Sequence, residues 1–162
     1  MRHEKIKDKQ ELSAEVQEFL HGQQVMVLST VDKNGQPHAA TVFYYLVEDG
    51  SFVFYFFTQD ATKKFDNLEK NNRAAITVFT QEEPRLVQAQ VNVWLVTDET
   101  ESTKIISKLT DIAIHSSTWF GPPIAKMKAG NLQVLKVQVD WLRYADFRQF
   151  HSSPSPFHQI IP

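Results

Sequence analysis

The alternation of apolar and polar positions divides the chain into recognisable elements. Leu12, Val16, Phe19 and Leu20 recur at the three- and four-residue spacing of one helical face. Ser13 lies near the start of that run and Gly22 just beyond its end, which predicts a short amphipathic helix. QVMVLSTV (24–31) is a β-rich run, and Asp32-Lys33-Asn34-Gly35 supplies the positive φ of a hairpin turn. HAATVFYYLV (38–47) reads as the returning strand, Glu48-Asp49-Gly50 as a second turn and SFVFYFF (51–57) as a third strand. The pattern then changes. Phe65 and Leu68, three apart among charged residues, predict a helix over 61–71, with Thr58 or Asp60 as its cap. RAAITVFT (73–80) and RLVQAQVNVWLV (85–96) predict two more strands. Ile105, Ile106 and Leu109 mark a helix over 98–109, and residues 110–130 read as irregular. NLQVLKVQV (131–139) alternates strictly, as a closing strand should. Residues 1–10 read as frayed, and the Pro- and Ser-rich tail over 151–162 as irregular.

Six strands and three helices without a regular β-α-β-α alternation argue against a doubly wound sheet and for a mainly β, antiparallel barrel with flanking helices. Closure by the sixth strand would remove the exposed edges. A length of 162 residues, no internal repeat and no linker composition fit one domain. Aromatic residues make up 12% of the chain, twelve of them Phe, which suits a β-rich core or a pocket for a flat ligand.

Charge and composition exclude several functions. A net charge of −2 gives no electrostatic reason to expect nucleic acid. The polar N-terminus lacks the apolar core of a signal peptide, and no run is long enough to span a bilayer. With no cysteine there is no disulfide, thiol nucleophile or thiolate metal site, and a cytoplasmic location is the expectation. The six histidines form no metal-ligand spacing, and G-x-S-x-G, P-loop and G-x-G-x-x-G motifs are absent.

The stretch that carries chemistry is FFTQDATKKFDNLEKNNRAA (56–75). A strand runs into a polar turn, and a helix begins with Thr62, Lys63 and Lys64. Two lysines at a helix start oppose the helix dipole. They make sense with an anion in front of them, where unpaired N–H groups also point. Thr58 and Thr62 add hydroxyl donors, so the segment reads as a phosphate cradle. A solvated first turn with an ordinary lysine pair is the competing reading.

LSTVDKNGQPHAATVFYY followed by FFTQDATKKFDNLEKNNRAAITV resembles the pyridoxamine 5′-phosphate oxidase-like FMN-binding split barrels, and within them the general-stress-protein branch. The resemblance spans residues 12 to 142. Its most specific part is Thr62, Lys63, Lys64, Asn67-Leu68 and Asn72-Arg73. It implies a six-stranded antiparallel split β-barrel and a homodimer with FMN between the subunits. By the same resemblance Ala40, Thr41, Val42 and Phe43 would run beside the isoalloxazine ring. Thr58, Thr62, Lys63 and Lys64 would hold the phosphate, and Gln90, or else Gln88, would reach the ring. The implied activity is a flavin-dependent oxidoreductase on a small substrate, with a non-catalytic flavin- or haem-binding module as the alternative. No catalytic residue stands out.

The sequence departs from the true oxidases. His38 stands where they begin the ring-side strand with arginine, and their C-terminal Arg-x-His and Trp-x-Ser-x-Gln-Ser motifs are missing. Oxidation of vitamin B6 is therefore not expected. Trp94 reads as core or dimer interface, Trp119 as part of a loop that covers a flavin face or packs on the barrel, and His151 and His158 as tail residues.

Overall fold

The computed structural model describes residues 7–116, 131–149 and 155–162. The elements run α1 (Lys9–His21), β1 (Val25–Val31), β2 (Pro37–Phe43), β3 (Tyr45–Leu46), β4 (Val53–Gln59), α2 (Lys63–Lys70), β5 (Arg73–Thr80), β6 (Arg85–Leu95), α3 (Glu99–Ser116), β7 (Leu132–Asp146) and β8 (Phe157–Ile161). The strands form one antiparallel sheet in the order β2-β1-β5-β6-β7-β4-β3, with β8 also paired to β7.

Strand β7 is the spine. Its first half lies between β6 and β4; its second half lies between β6 and β8. The sheet curls around Phe19, Leu28, Phe54, Phe56, Val137 and Leu142, all at most 2% exposed. Burying such a side chain is worth about 1.5–3 kcal/mol. Helix α1 lays Val16, Phe19 and Leu20 into this core and is held at its start by a capping box between Asp8 and Glu11. Helix α3 covers the other face of the sheet over β4 and β7, where Ile105 and Leu109 pack with Tyr55 and Val134.

The mainly β split-barrel architecture is the one the sequence predicts, but its details differ. The 38–47 run is two strands. Up to Phe43 it pairs with β1, and from Tyr45 it pairs with β4. Tyr44 sets the break: its ring packs edge-on against Phe54 with centroids 5.3 Å apart, and its hydroxyl donates to the Leu20 carbonyl at 2.5 Å. No ladder closes β2 onto β3 or β4 among the described residues, so the barrel is a curled sheet with a gap rather than closed by the sixth strand. The closing strand runs on to Asp146, and α3 continues to Ser116 through residues expected to be irregular. The tail is not irregular throughout: Phe157–Ile161 is the eighth strand. Residues 9–10 are already helical, and α1 is capped by Asp8, not near Ser13. In the first hairpin Gly35 alone has positive φ, at 81°. Asp32 Oδ1 accepts the amides of Asn34 and Gln36 and shapes the turn. The Trp119 loop and His151 lie outside the described residues.

Candidate functional site

Strand β4 ends in Thr58 and Gln59, and a short turn leads into α2. The cap of that helix is Thr62, not Thr58 or Asp60: its backbone is extended and its Oγ1 accepts the amide of Phe65 at 3.4 Å. Phe65 and Leu68 bury one face of α2 in the main core. With that face fixed, Lys64, one residue from Phe65 and so turned about 100° from it, faces the gap between β2 and β4. Lys63, a further step round, is exposed. It lies within electrostatic range of Asp32, whose carboxyl is held below its ordinary value chiefly by the amides of Gln36 and Asn34, with Lys63 a smaller influence.

Thr41, Val42, Phe43, Phe57, Thr58, Thr62 and Lys64 line a cleft of about 160 Å³ in this gap. Of the residues singled out in the sequence, the structure therefore brings together Thr41, Val42, Phe43, Thr58, Thr62 and Lys64. Lys63 and Ala40 do not line the cleft; Ala40 is half-buried opposite Leu28. Gln90 and Gln88 are also elsewhere. Successive pairings place Thr41, Val27, Thr77 and Gln88 in one row across four strands, so Gln88 is three strand spacings from Thr41, about 14 Å. Gln90 is exposed in the next row. Phe57 is the lining residue that the sequence reading passed over. Its signal was the period of two along β4, which turns Phe57 to the opposite face from Phe56.

Lys64 is half-buried and makes no ion pair among the described residues. Desolvation lowers its amine below the usual 10.5. The amides of Lys63 and Lys64, the first two of α2, have no acceptor within the helix. A half-buried cation without a carboxylate, at a helix start, is a donor set suited to a phosphate. The hydroxyls are less free than the sequence suggests. Thr62 Oγ1 lies 2.9 Å from both the Gln59 carbonyl and Thr58 Oγ1, and it also serves as the cap. Thr58 thus holds the one hydroxyl proton of the pair that can turn to a new acceptor while the cap keeps its own bonds.

A larger cleft, about 290 Å³, lies between the end of α1, β3 and α3. There Glu48 and Asp111 accompany Lys108, whose amine sits over the Tyr45 ring at 4.7 Å. Its two carboxylates outnumber its one lysine, so the smaller cleft carries the stronger demand for an anion. At about 160 Å³ that cleft falls below the roughly 300–1,000 Å³ of ligand pockets. Its size suits a phosphate group and is too small to enclose a whole aromatic cofactor.

The description Pyridoxamine 5'-phosphate oxidase belongs to the family whose sequence profile matches residues 12–146. No curated protein matches the chain. Among solved structures, Campylobacter jejuni ChuZ superposes with a TM-score of 0.75 at 14% identity, over 98% of this chain and 62% of that one. The chain thus spans 62% of the length of the Campylobacter protein. A pyridoxamine 5'-phosphate oxidase-related, FMN binding protein from Nostoc punctiforme gives 0.63 at 14% identity, over 96% of this chain and 90% of that one. HutZ, the heme storage protein from Vibrio cholerae, gives 0.61 at 16% identity, over 80% and 91% respectively. General stress protein 26 from Bacillus anthracis and a related protein from Clostridium acetobutylicum are among the other matches. These likenesses describe the fold. No helix among the described residues is long and apolar enough to cross a membrane.

Proposed function

The chain belongs to the pyridoxamine 5′-phosphate oxidase family, and on that premise we propose that it binds FMN in the β2–β4 cleft and works as a flavin-dependent oxidoreductase in the form of a cytoplasmic homodimer. One observation carries the binding reading: the half-buried Lys64 amine, without a counter-ion among the described residues, faces a cleft at the start of α2. Lys64, the first amides of α2 and Thr58 would hold the phosphate. Thr41 to Phe43 would lie along the ring, and the exposed Gln90, or Gln88, would approach it from a second copy. The bound flavin would supply the hydride or electron step. The residues of the chain bind it, orient it and keep water from one side; among the described lining residues Lys64 is the only titratable side chain. The missing C-terminal motifs speak against pyridoxamine phosphate as its substrate.

The test is a fluorescence-quench titration with FMN and riboflavin. FMN should bind more tightly, because only it carries the phosphate. Equal affinity would remove the reading. Haem is the second reading, on the strength of the Vibrio cholerae neighbour, with the exposed His158 of β8 as its available ligand. An absorbance scan of freshly purified protein separates the two, since haem and flavin absorb in different bands.

A further inference from the structure

Arg143 projects from β7 on the outer face of the sheet, in the same row as Thr41, Val27, Thr77 and Gln88. Its guanidinium is held on three sides. The Phe157 ring of β8 lies 4.7 Å from its carbon and the Trp141 ring 5.7 Å. Its Nε donates to Gln88 Oε1 at 2.8 Å. Phe157 is itself steadied by Phe147, edge-on with centroids 5.8 Å apart. The other arginines of this region are neutralised, Arg148 by Asp146 and Glu83, and Arg85 by Glu83. Arg143 has no carboxylate partner among the described residues. Among the described residues one of its five N–H donors is used, and the four terminal ones form a planar fork that is oriented in advance.

We propose that Arg143 is the specificity-determining residue of a substrate subsite and receives the carboxylate of a small planar acid. The assignment rests on the flavin reading above, through position. Arg143 is bonded to Gln88 and lies diagonally across from Gln90, whose direct partner on β7 is Trp141. Diagonal neighbours on paired strands are about 7–8 Å apart. If either glutamine stands beside a flavin held by a second copy, Arg143 lies one side chain farther along the same face, where a molecule stacked on the ring would place its substituent. Carboxylate fits better than phosphate. One guanidinium matches one negative charge in a bidentate pair, whereas a phosphate monoester carries nearly two, and among the described residues no second cation joins Arg143 within this clamp.

The test uses benzoate as the probe and benzamide as its neutral isostere, each titrated by calorimetry into the whole protein with and without FMN. Trp141 fluorescence gives a second readout beside Arg143. Benzoate should bind roughly tenfold or more tightly than benzamide. Arg143→Gln should erase that preference, and Arg143→Lys should restore only part of it, with the FMN affinity of both variants unchanged. Melting curves of both confirm that they fold. Equal binding of benzoate and benzamide to the FMN-loaded wild type overturns the proposal and leaves Arg143 as a fastener for β8. A preference for pyridoxamine phosphate over benzoate also overturns it. Arg143-dependent benzoate binding in a protein that takes no FMN would uphold the acid subsite while removing the flavin reading.

Discussion

Lys64 shows how one residue can oppose its own element. A cation in the first turn costs a helix about 0.3–1 kcal/mol, and half-burial adds desolvation, which lowers its amine below 10.5. Lys64→Ala should therefore leave the apo protein as stable as the wild type or slightly more so. A charge-assisted hydrogen bond to phosphate is worth roughly 1.5–3 kcal/mol, so the same change should weaken FMN binding roughly tenfold to a hundredfold. Lys63→Ala should act in the same direction and less, because Lys63 is exposed and outside the cleft. Apo melting curves beside FMN titrations check both, and unchanged affinity in both variants would move the phosphate elsewhere. The pH dependence follows with a definite sign. A lysine whose folded pKa lies below its unfolded value binds fewer protons when folded, so its unfavourable contribution to the apo protein is present at neutral pH and is relieved as pH rises from the folded value toward 10.5. FMN affinity should run the other way and fall over the same window, as the ammonium is lost. A titration that stays flat through that window would separate Lys64 from the phosphate. Lys64 was legible in the sequence because its charge is wrong for its place. Gln90 and Gln88 were named by resemblance alone, and the row geometry that sets Gln88 about 14 Å from Thr41 is a property of strand order, which a one-dimensional pattern does not hold.

At the scale of elements, the cleft depends on where α2 sits. Asn67 and Thr30 are each 1% exposed, and the Asn67 amide donates to Thr30 Oγ1 at 3.0 Å, tying α2 to β1. Phe65 and Leu68 would allow the helix to slide or roll on the core; a directional bond does not. Thr30→Val should leave the amide unsatisfied and cost about 1–3 kcal/mol, whereas Thr30→Val with Asn67→Leu should recover much of the loss by replacing both partners with apolar groups. Urea melts of the two single variants and the double variant check this, and additive losses would mean the bond is incidental. The other differences from the sequence reading share a cause: the deciding partner is distant in the chain. Alternation continues through Val42, Tyr44 and Leu46, all buried, so nothing local shows the change of partner at Tyr44. The tail reads as irregular because of its prolines, yet β8 begins just after Pro156, lies along β7 where β4 has ended, and buries Ile160. Ser13 looked like a cap near the helix start, but the capping box formed farther upstream, between Asp8 and Glu11.

At the scale of the molecule, the outer face of the sheet is incomplete. The apolar residues of β6, Val87, Ala89, Val91 and Val93, point into the core, and Gln88, Gln90 and Asn92 point out. On the sheet's outer face, exposed apolar side chains lie on β1 and β5, where Val27 is 40% and Phe79 55% exposed, with Trp94 exposed at the far end of β6. A half-sized cleft beside such a face is what a site shared by two copies would leave in each. A dimer should therefore be seen by light scattering at micromolar concentration, and its melting temperature should rise with protein concentration by mass action. Phe79→Glu offers the separating test, because Phe79 does not line the cleft. On a free surface such a change stays within about 0.5 kcal/mol; across an apolar interface it places a charge where desolvation is costly. The variant should be a folded monomer, and its FMN affinity should fall by at least roughly tenfold, since the second copy no longer covers the ring. A monomer that kept the wild-type FMN affinity would show that one chain holds the whole flavin. A dimer that survived the substitution would put the interface on another face, and with it the approach of Gln90 and Arg143 to the neighbouring cleft.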